Sequence, residues 1–266
     1  MSDTFPDRFT RFRREVLPRL TTVIDRTFDR GFEIRNEVEA VVFTLGRAGV
    51  EDFKDILALV DAGRGVGAFK LVRGMFERLV ITRYLRLHPQ EVELFRGFEV
   101  IHKRKTINQA RNAGVDVKAF VSDEALVSIE EAYRIARPLY TETVCKKCET
   151  TRDQMSWTKK DLMTLAKEVD LQGLYLTFCH WPTLQLHTTT FGLGIWLRHN
   201  GDTTSFDPSA NTRFAELAMP GAHATMAFLL EDQNLMFGLG LEREIRNVSE
   251  AIEMWPTGRY RLYPEQ

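Results

Sequence analysis

Arg73 and Glu77 stand four residues apart in a stretch that is otherwise mostly apolar. A helix there would put guanidinium and carboxylate on one face, where an exposed pair contributes only about 0.3 kcal/mol. Buried beside a third polar group, the same pair would form a polar centre inside the fold. His187, which lies in a stretch with no charges, is the residue we expect as that third group. Arg73, Glu77 and His187 are therefore the candidate catalytic residues. A second set gathers at Arg96, His102, Lys103, Arg104 and Lys105, with Arg111 close behind and no acid among His102–Lys105. Cations at that density suit contacts to RNA phosphates, while the plainer reading is a solvated helix face. Two Arg/His pairs, Arg83…His88 and Arg96…His102, also stand close together in the chain.

Metal and nucleotide motifs are thinner. Cys145-x-x-Cys148 supplies half of a tetrahedral zinc site, which Cys179, His180 or His187 could complete; otherwise these are ordinary loop thiols. Glu99-x-x-His102 has the spacing of carboxylate-bridged di-metal bundles, but those need a second such motif and two further carboxylates. No other histidine follows an acid by three residues. No metal and no cofactor is expected. The run Gly63–Ala68, GRGVGA, matches a dinucleotide fingerprint in letters only, because helical spacing precedes it. It reads as a glycine-rich turn between two helices.

The elements that must position these residues are helices. Apolar stripes recur at Phe12, Val16, Leu20, Val23 and Ile24; at Val38, Val41, Val42 and Leu45, stopping near Gly46–Gly49; and at Phe53, Ile56, Leu57 and Val60. The strongest runs through Phe69, Val72, Phe76, Leu79 and Val80. Helices follow over 91–112 and 123–137, and Pro18 predicts a kink. Residues 141–156, polar and threonine-rich, read as a loop, as does HNGDTTSFDPSANT. Asp207-Pro208 then opens helices that run to about Trp255 with an interruption at Pro220–Gly221, and 256–266 reads as an irregular tail. Period-two strands are absent, so the expectation is a single all-α domain over 1–266.

From Leu171 to Leu197 there are 27 residues without Asp, Glu, Lys or Arg. That is long enough for a membrane span, but His180, Pro182, Gln185, His187 and three threonines argue against lipid exposure. We read about 171–197 as a helix kinked near Pro182, with the rest of a multi-helix bundle arranged around it. At 44% hydrophobic the chain has too much apolar content for disorder. A net charge of −1 excludes a generally basic nucleic-acid binder. It divides, however, into +5 over 1–111 and −6 over 112–266. Three cysteines and no signal peptide point to the cytoplasm.

The stretch Phe69–Leu87, FKLVRGMFERLVITRYLRL, resembles the signature R-[GS]-x-[FY]-E helix of a bacterial family of all-helical proteins catalogued as a domain of unknown function. Trp157, Tyr175 and Thr183 through His187 extend the resemblance, which covers about 40–200 and has Thr183 where that family has serine. It implies no established activity, and it marks Arg73, Glu77 and His187 for testing. The two Arg/His spacings give a more distant likeness to the helical HEPN superfamily, some of whose members are RNases. Two functional readings follow. One is a polar interior site acting on a nucleotide or RNA, in stress or phage defence. The other is a non-catalytic protein-interaction or homodimerisation module whose polar groups fix helix register; zinc stabilisation through Cys145 and Cys148 is a third.

Overall fold

A computed structural model describes residues 4–29, 33–145, 148–187, 189–201 and 203–255; the expected tail at 256–266 lies outside them. The fold is all-α with two small hairpins. By contact the chain forms two compact units, His88–Asp161 and the remainder on either side of it.

The larger unit opens with α1 (Phe5–Arg11) and α2 (Leu17–Phe28), joined by one π-helical turn at Phe12–Val16. Its core is α3 (Glu37–Asp61), α4 (Gly65–Leu87) and α11 (Ala210–Phe237), followed by α12 (Glu242–Glu250). The predicted stripe of α4 is fully buried: Phe69, Val72, Phe76, Leu79 and Val80 are each 0% exposed. Between α4 and α11 come α7 (Leu162–Glu168), α8 (Gln172–Tyr175), α9 (Trp181–Leu186), α10 (Thr190–Gly194) and the antiparallel hairpin β3 (Leu197–Asn200)/β4 (Thr203–Phe206).

Two expected helix stops are absent. The α3 helix runs straight across Gly46 and Gly49, where a β-carbon would lie 2.4 Å from Gln233 Nε2 and 2.5 Å from Leu229 Cδ1. These glycines cost helix propensity, but they let α11 approach α3 closely. Likewise α11 continues through Pro220–Gly221, and a β-carbon on Gly221 would meet Phe178 at 3.0 Å and Val72 at 3.1 Å. Packing on a mostly buried helix outweighs the one N–H that proline lacks.

The charge-free stretch is not one central helix. It is helical over α8, a π turn at Leu176–His180 and α9, and it breaks where His187 turns extended. The central place belongs to α11, which buries residues along nearly its whole length. The charge-free stretch buries Leu171, Phe178, Cys179, Pro182 and Gln185 but exposes Leu176, Leu186, Leu193 and Leu197. Pro18 and Pro182 each follow a π turn that contains the residue four positions earlier, Arg14 and Phe178. Widening the helix there relieves the clash between the proline ring and that residue's carbonyl.

The smaller unit holds α5 (Val92–Asn112), α6 (Asp123–Ala136) and the hairpin β1 (Thr141–Cys145)/β2 (Thr150–Asp153). The region expected as a polar loop therefore carries strands. Thr143 faces Thr151, and Arg152 bonds Glu142 at 2.5 Å, so threonine content and cross-strand charge favour pairing. Tyr140 packs on α5 where Gly97 leaves room, and its hydroxyl donates to Leu94 O at 2.9 Å.

Candidate functional site

Arg73 and Glu77 do share a face of α4, with Nη2 and Oε2 3.7 Å apart and side chains 34% and 41% exposed. The pair is half-open, and at that distance and exposure it is a weak ion pair. Arg73 Nε is nonetheless buried with no hydrogen-bond partner. The group that the charge-free stretch contributes beside them is Cys179, 3% exposed. Burial raises its thiol pKa; Arg73 pulls it down and Glu77 pushes it up, while the Thr183 hydroxyl donates to the Cys179 carbonyl at 2.7 Å. A thiol held protonated in this way is a poor nucleophile. His187 lies exposed past the end of α9, its N–H donating to Thr183 O at 3.2 Å. His180 is exposed as well.

The basic set on α5 is largely engaged. Lys103 pairs with Glu99 at 2.6 Å, and Arg104 pairs with Glu130 at 2.7 Å while lying 4.9 Å over the Tyr133 ring. Lys105 Nζ reaches Met155 Sδ at 3.6 Å, and His102 meets the Phe98 ring edge-on at 4.6 Å. The acids that quench this cluster come from other turns and from α6, which inspection of the run alone cannot see. Arg96 and His102 sit six residues apart on one helix, about 120° around it, so they do not face a common point.

Arg83, of the other Arg/His spacing, is held elsewhere. Its Nε donates to Asp232 at 2.9 Å, its Nη2 pairs with Glu231 at 2.9 Å, and it lies 5.1 Å over Phe228. Arg86 Nε takes the other oxygen of Asp232 at 2.8 Å. Asp232 is fully buried; desolvation pushes its carboxyl pKa up against the pull of both guanidiniums. Removing either partner would strand a buried charge, so the trio is a lock between α4 and α11.

Cys148 is exposed with Sγ 2.9 Å from Thr150 Oγ1, whereas the Cys145 side chain is outside what the structure describes. Among the described residues no group of three His, Cys, Asp or Glu side chains is placed to hold a metal ion. Of GRGVGA only Gly63, with φ +69°, and Arg64 lie in the turn from α3 to α4; the rest opens α4, where Gly65 packs against Asn211 O and Ala215 N of α11.

What the residue pattern only partly announced is Asp207. The helix it was expected to cap begins later, at Ala210, and Asp207 works as a hub before it. Its carboxylate accepts from Ser209 N at 3.0 Å, Ser209 Oγ at 2.6 Å, Arg213 Nη1 at 2.9 Å and Arg198 Nη2 at 3.3 Å. These bonds, led by the serine hydroxyl, lower its pKa to about 2. Its own N–H donates to Trp196 O at 2.7 Å, and Arg213 Nη2 donates to Ile195 O at 3.2 Å. The β3/β4 hairpin is thereby tied to the start of α11. What it presents is apolar: Leu193, Leu197 and Phe206 are 56%, 43% and 66% exposed. Leu197 faces Phe206 across the hairpin, and Trp196 stacks on Phe206 at 5.2 Å. The lack of charges over 171–197 was the sequence signal for this surface.

Among the described residues no helix is long and apolar enough to cross a membrane. The model of a family described as Family of unknown function (DUF5677) matches residues 39–203. No curated protein and no solved structure matches the chain.

Proposed function

We propose that this chain, which belongs to the Family of unknown function (DUF5677), works as a protein-interaction module rather than through a catalytic centre. One observation carries the reading: a 27-residue stretch without charge ends in a surface where Leu193, Leu197 and Phe206 are all more than two-fifths exposed. Exposed apolar side chains on an anchored hairpin, where Arg198 and Arg213 are both engaged by Asp207, mark a protein contact. The smaller unit also exposes Ile135 and Leu139, but Glu130, Glu131, Arg134 and Arg137 are interleaved there, as on a solvated face. The nucleotide or RNA reading has less behind it, since Arg73 and Glu77 meet a protonated thiol rather than His187, and Lys103 and Arg104 are paired with acids. Zinc through the Cys145/Cys148 pair has only one described thiol, bonded to Thr150. A reducing, cytoplasmic setting suits the buried thiol of Cys179.

A photo-crosslinking phenylalanine analogue at Leu193, in cells that make the protein, tests this. Discrete adducts are expected from position 193 and none from a control at Lys54, whose side chain is 56% exposed and pairs with Glu51. Equal, diffuse labelling from both positions would overturn the reading.

A further inference from the structure

The partner of that surface can be deduced from the hairpin's own backbone. Asp207 N–H donates to Trp196 O, and the register pairs Leu197 with Phe206, Arg198 with Ser205, His199 with Thr204 and Asn200 with Thr203. In an antiparallel ladder, residues alternate between pointing their N–H and C=O at the neighbour and pointing them away. With Asp207 pointing in, Ser205 points in, and Thr204 and Phe206 point out. Among the described residues the two-stranded sheet has no further strand beside β4, and all four residues of β4 are exposed.

Edges of this kind are usually guarded by a charge, a proline or a bulge. Thr203, Thr204, Ser205 and Phe206 include none of these, and the β3/β4 register is regular. Arg198, the nearest cation on the hairpin, is tied to Asp207. A partner must therefore supply backbone donors and acceptors at strand spacing, together with an uncharged surface that desolvates no unpaired ion. This chain owns a surface meeting both conditions, namely the same one.

We propose that β4 pairs antiparallel with β4 of a second copy, about a two-fold axis at Ser205, making a four-stranded sheet across a homodimer. The inference rests on the interaction-module reading above. Outward-pointing Thr204 and Phe206 of one copy exchange hydrogen bonds with Phe206 and Thr204 of the other, and Ser205 faces Ser205. The contact is isologous and closes on itself. Phe206, which shares a sheet face with Leu197, packs over the other copy's Thr204. Four residues and a few half-exposed side chains make a small interface, of the class below about 1,200 Å² that associates weakly.

Sedimentation equilibrium of the full chain from about 1 µM to about 1 mM, the span of weak complexes, is the test. The average mass is expected to rise from 30.7 kDa toward twice that value. Thr204→Pro removes an outward N–H that the hairpin itself does not use, a position where an edge strand tolerates proline. Phe206→Lys places like charges across the axis. Each variant is expected to stay at the mass of one chain at every concentration, with an unfolding midpoint close to that of the parent. A parent that keeps the mass of one chain throughout, or a dimer that both variants leave intact, overturns the pairing. The crosslinked Leu193 protein separates the two readings: adducts at twice the chain mass support the homodimer. Adducts at other masses only overturn the homodimer while leaving an interaction module, and adducts no more discrete than those from Lys54 overturn both.

Discussion

His223 is fully buried in the middle of α11, and its hydrogen bonds define its state. Nε2 lies 2.8 Å from Val248 O, which can only accept, so Nε2 carries the proton; Nδ1 then accepts from Trp255 Nε1 at 3.1 Å. Phe12 tilts against the ring with centroids 5.2 Å apart. Desolvation drops the imidazole pKa to about 4, with the Val248 bond acting weakly the other way. The unfolded chain binds the proton near 6.5 and the folded chain only near 4. The stability this residue contributes is therefore full above pH 6.5 and is lost as pH falls through that window. The loss amounts to on the order of 3 kcal/mol. Protonation would also set two donors, Nδ1–H and Trp255 Nε1–H, against each other. Urea unfolding of the parent and of His223→Gln between pH 7 and about pH 4 reads this out. The parent's curve should fall more steeply than the variant's, and parallel curves would show that the acid sensitivity has another source. Asp207 begins to lose its contribution only as pH falls toward its ordinary value of 3.8, and it does so in parent and variant alike, so it does not confuse the comparison.

Glycines decide how closely the helices approach. Gly65 opens α4 where a β-carbon would lie 1.9 Å from Asn211 O and 2.4 Å from Ala215 N, both backbone atoms of α11. Gly74, nine residues on in the same helix, has nothing within 4 Å. Gly65→Ala is expected to destabilise by about 1–3 kcal/mol, because backbone must move. Gly74→Ala is expected to stabilise by about 0.5–1 kcal/mol through helix propensity alone. Thermal or urea unfolding of the two single variants should give shifts of opposite sign, and equal shifts would contradict the close approach. The same residues show how much could be read from the sequence. The stripe from Phe69 to Val80 declares α4 because a buried face leaves a period in the chain. Gly46, Gly49 and Pro220 mislead because their local cost is outweighed by contacts with residues far away in sequence. The hairpins escaped notice because strands of four or five residues leave too short an alternation to see. Arg73 and Glu77 were legible as a helical pair, but their third neighbour was not. Cys179 and His187 occupy the same stretch, and only the break after α9 determines which of them meets α4.

Over the whole molecule, part of the charge asymmetry is taken up by internal pairs between the basic first part and the acidic second part. Arg26 bonds Glu244 at 2.8 Å, Arg83 bonds Glu231, and Arg86 bonds Asp232, each joining a cation before residue 112 to an acid after it. Arg104 and Glu130 do the same within the smaller unit. Opposite charge along the chain thus serves closure more than the attraction of a polyanion. It also bears on where the folding unit ends. The family match covers 39–203 and so omits α11, yet α11 fills the grooves left by Gly46, Gly49 and Gly65 and neutralises Arg83 and Arg86. Residues 39–203 alone would expose the faces of α3 and α4 that α11 covers and would leave two half-buried guanidiniums without their shared carboxylate. That segment is expected to retain some helix but to lack a cooperative transition. The full chain should show one in circular dichroism followed through urea. A sharp transition in 39–203, with a midpoint matching the full chain, would mean that α3 and α4 find their core without α11.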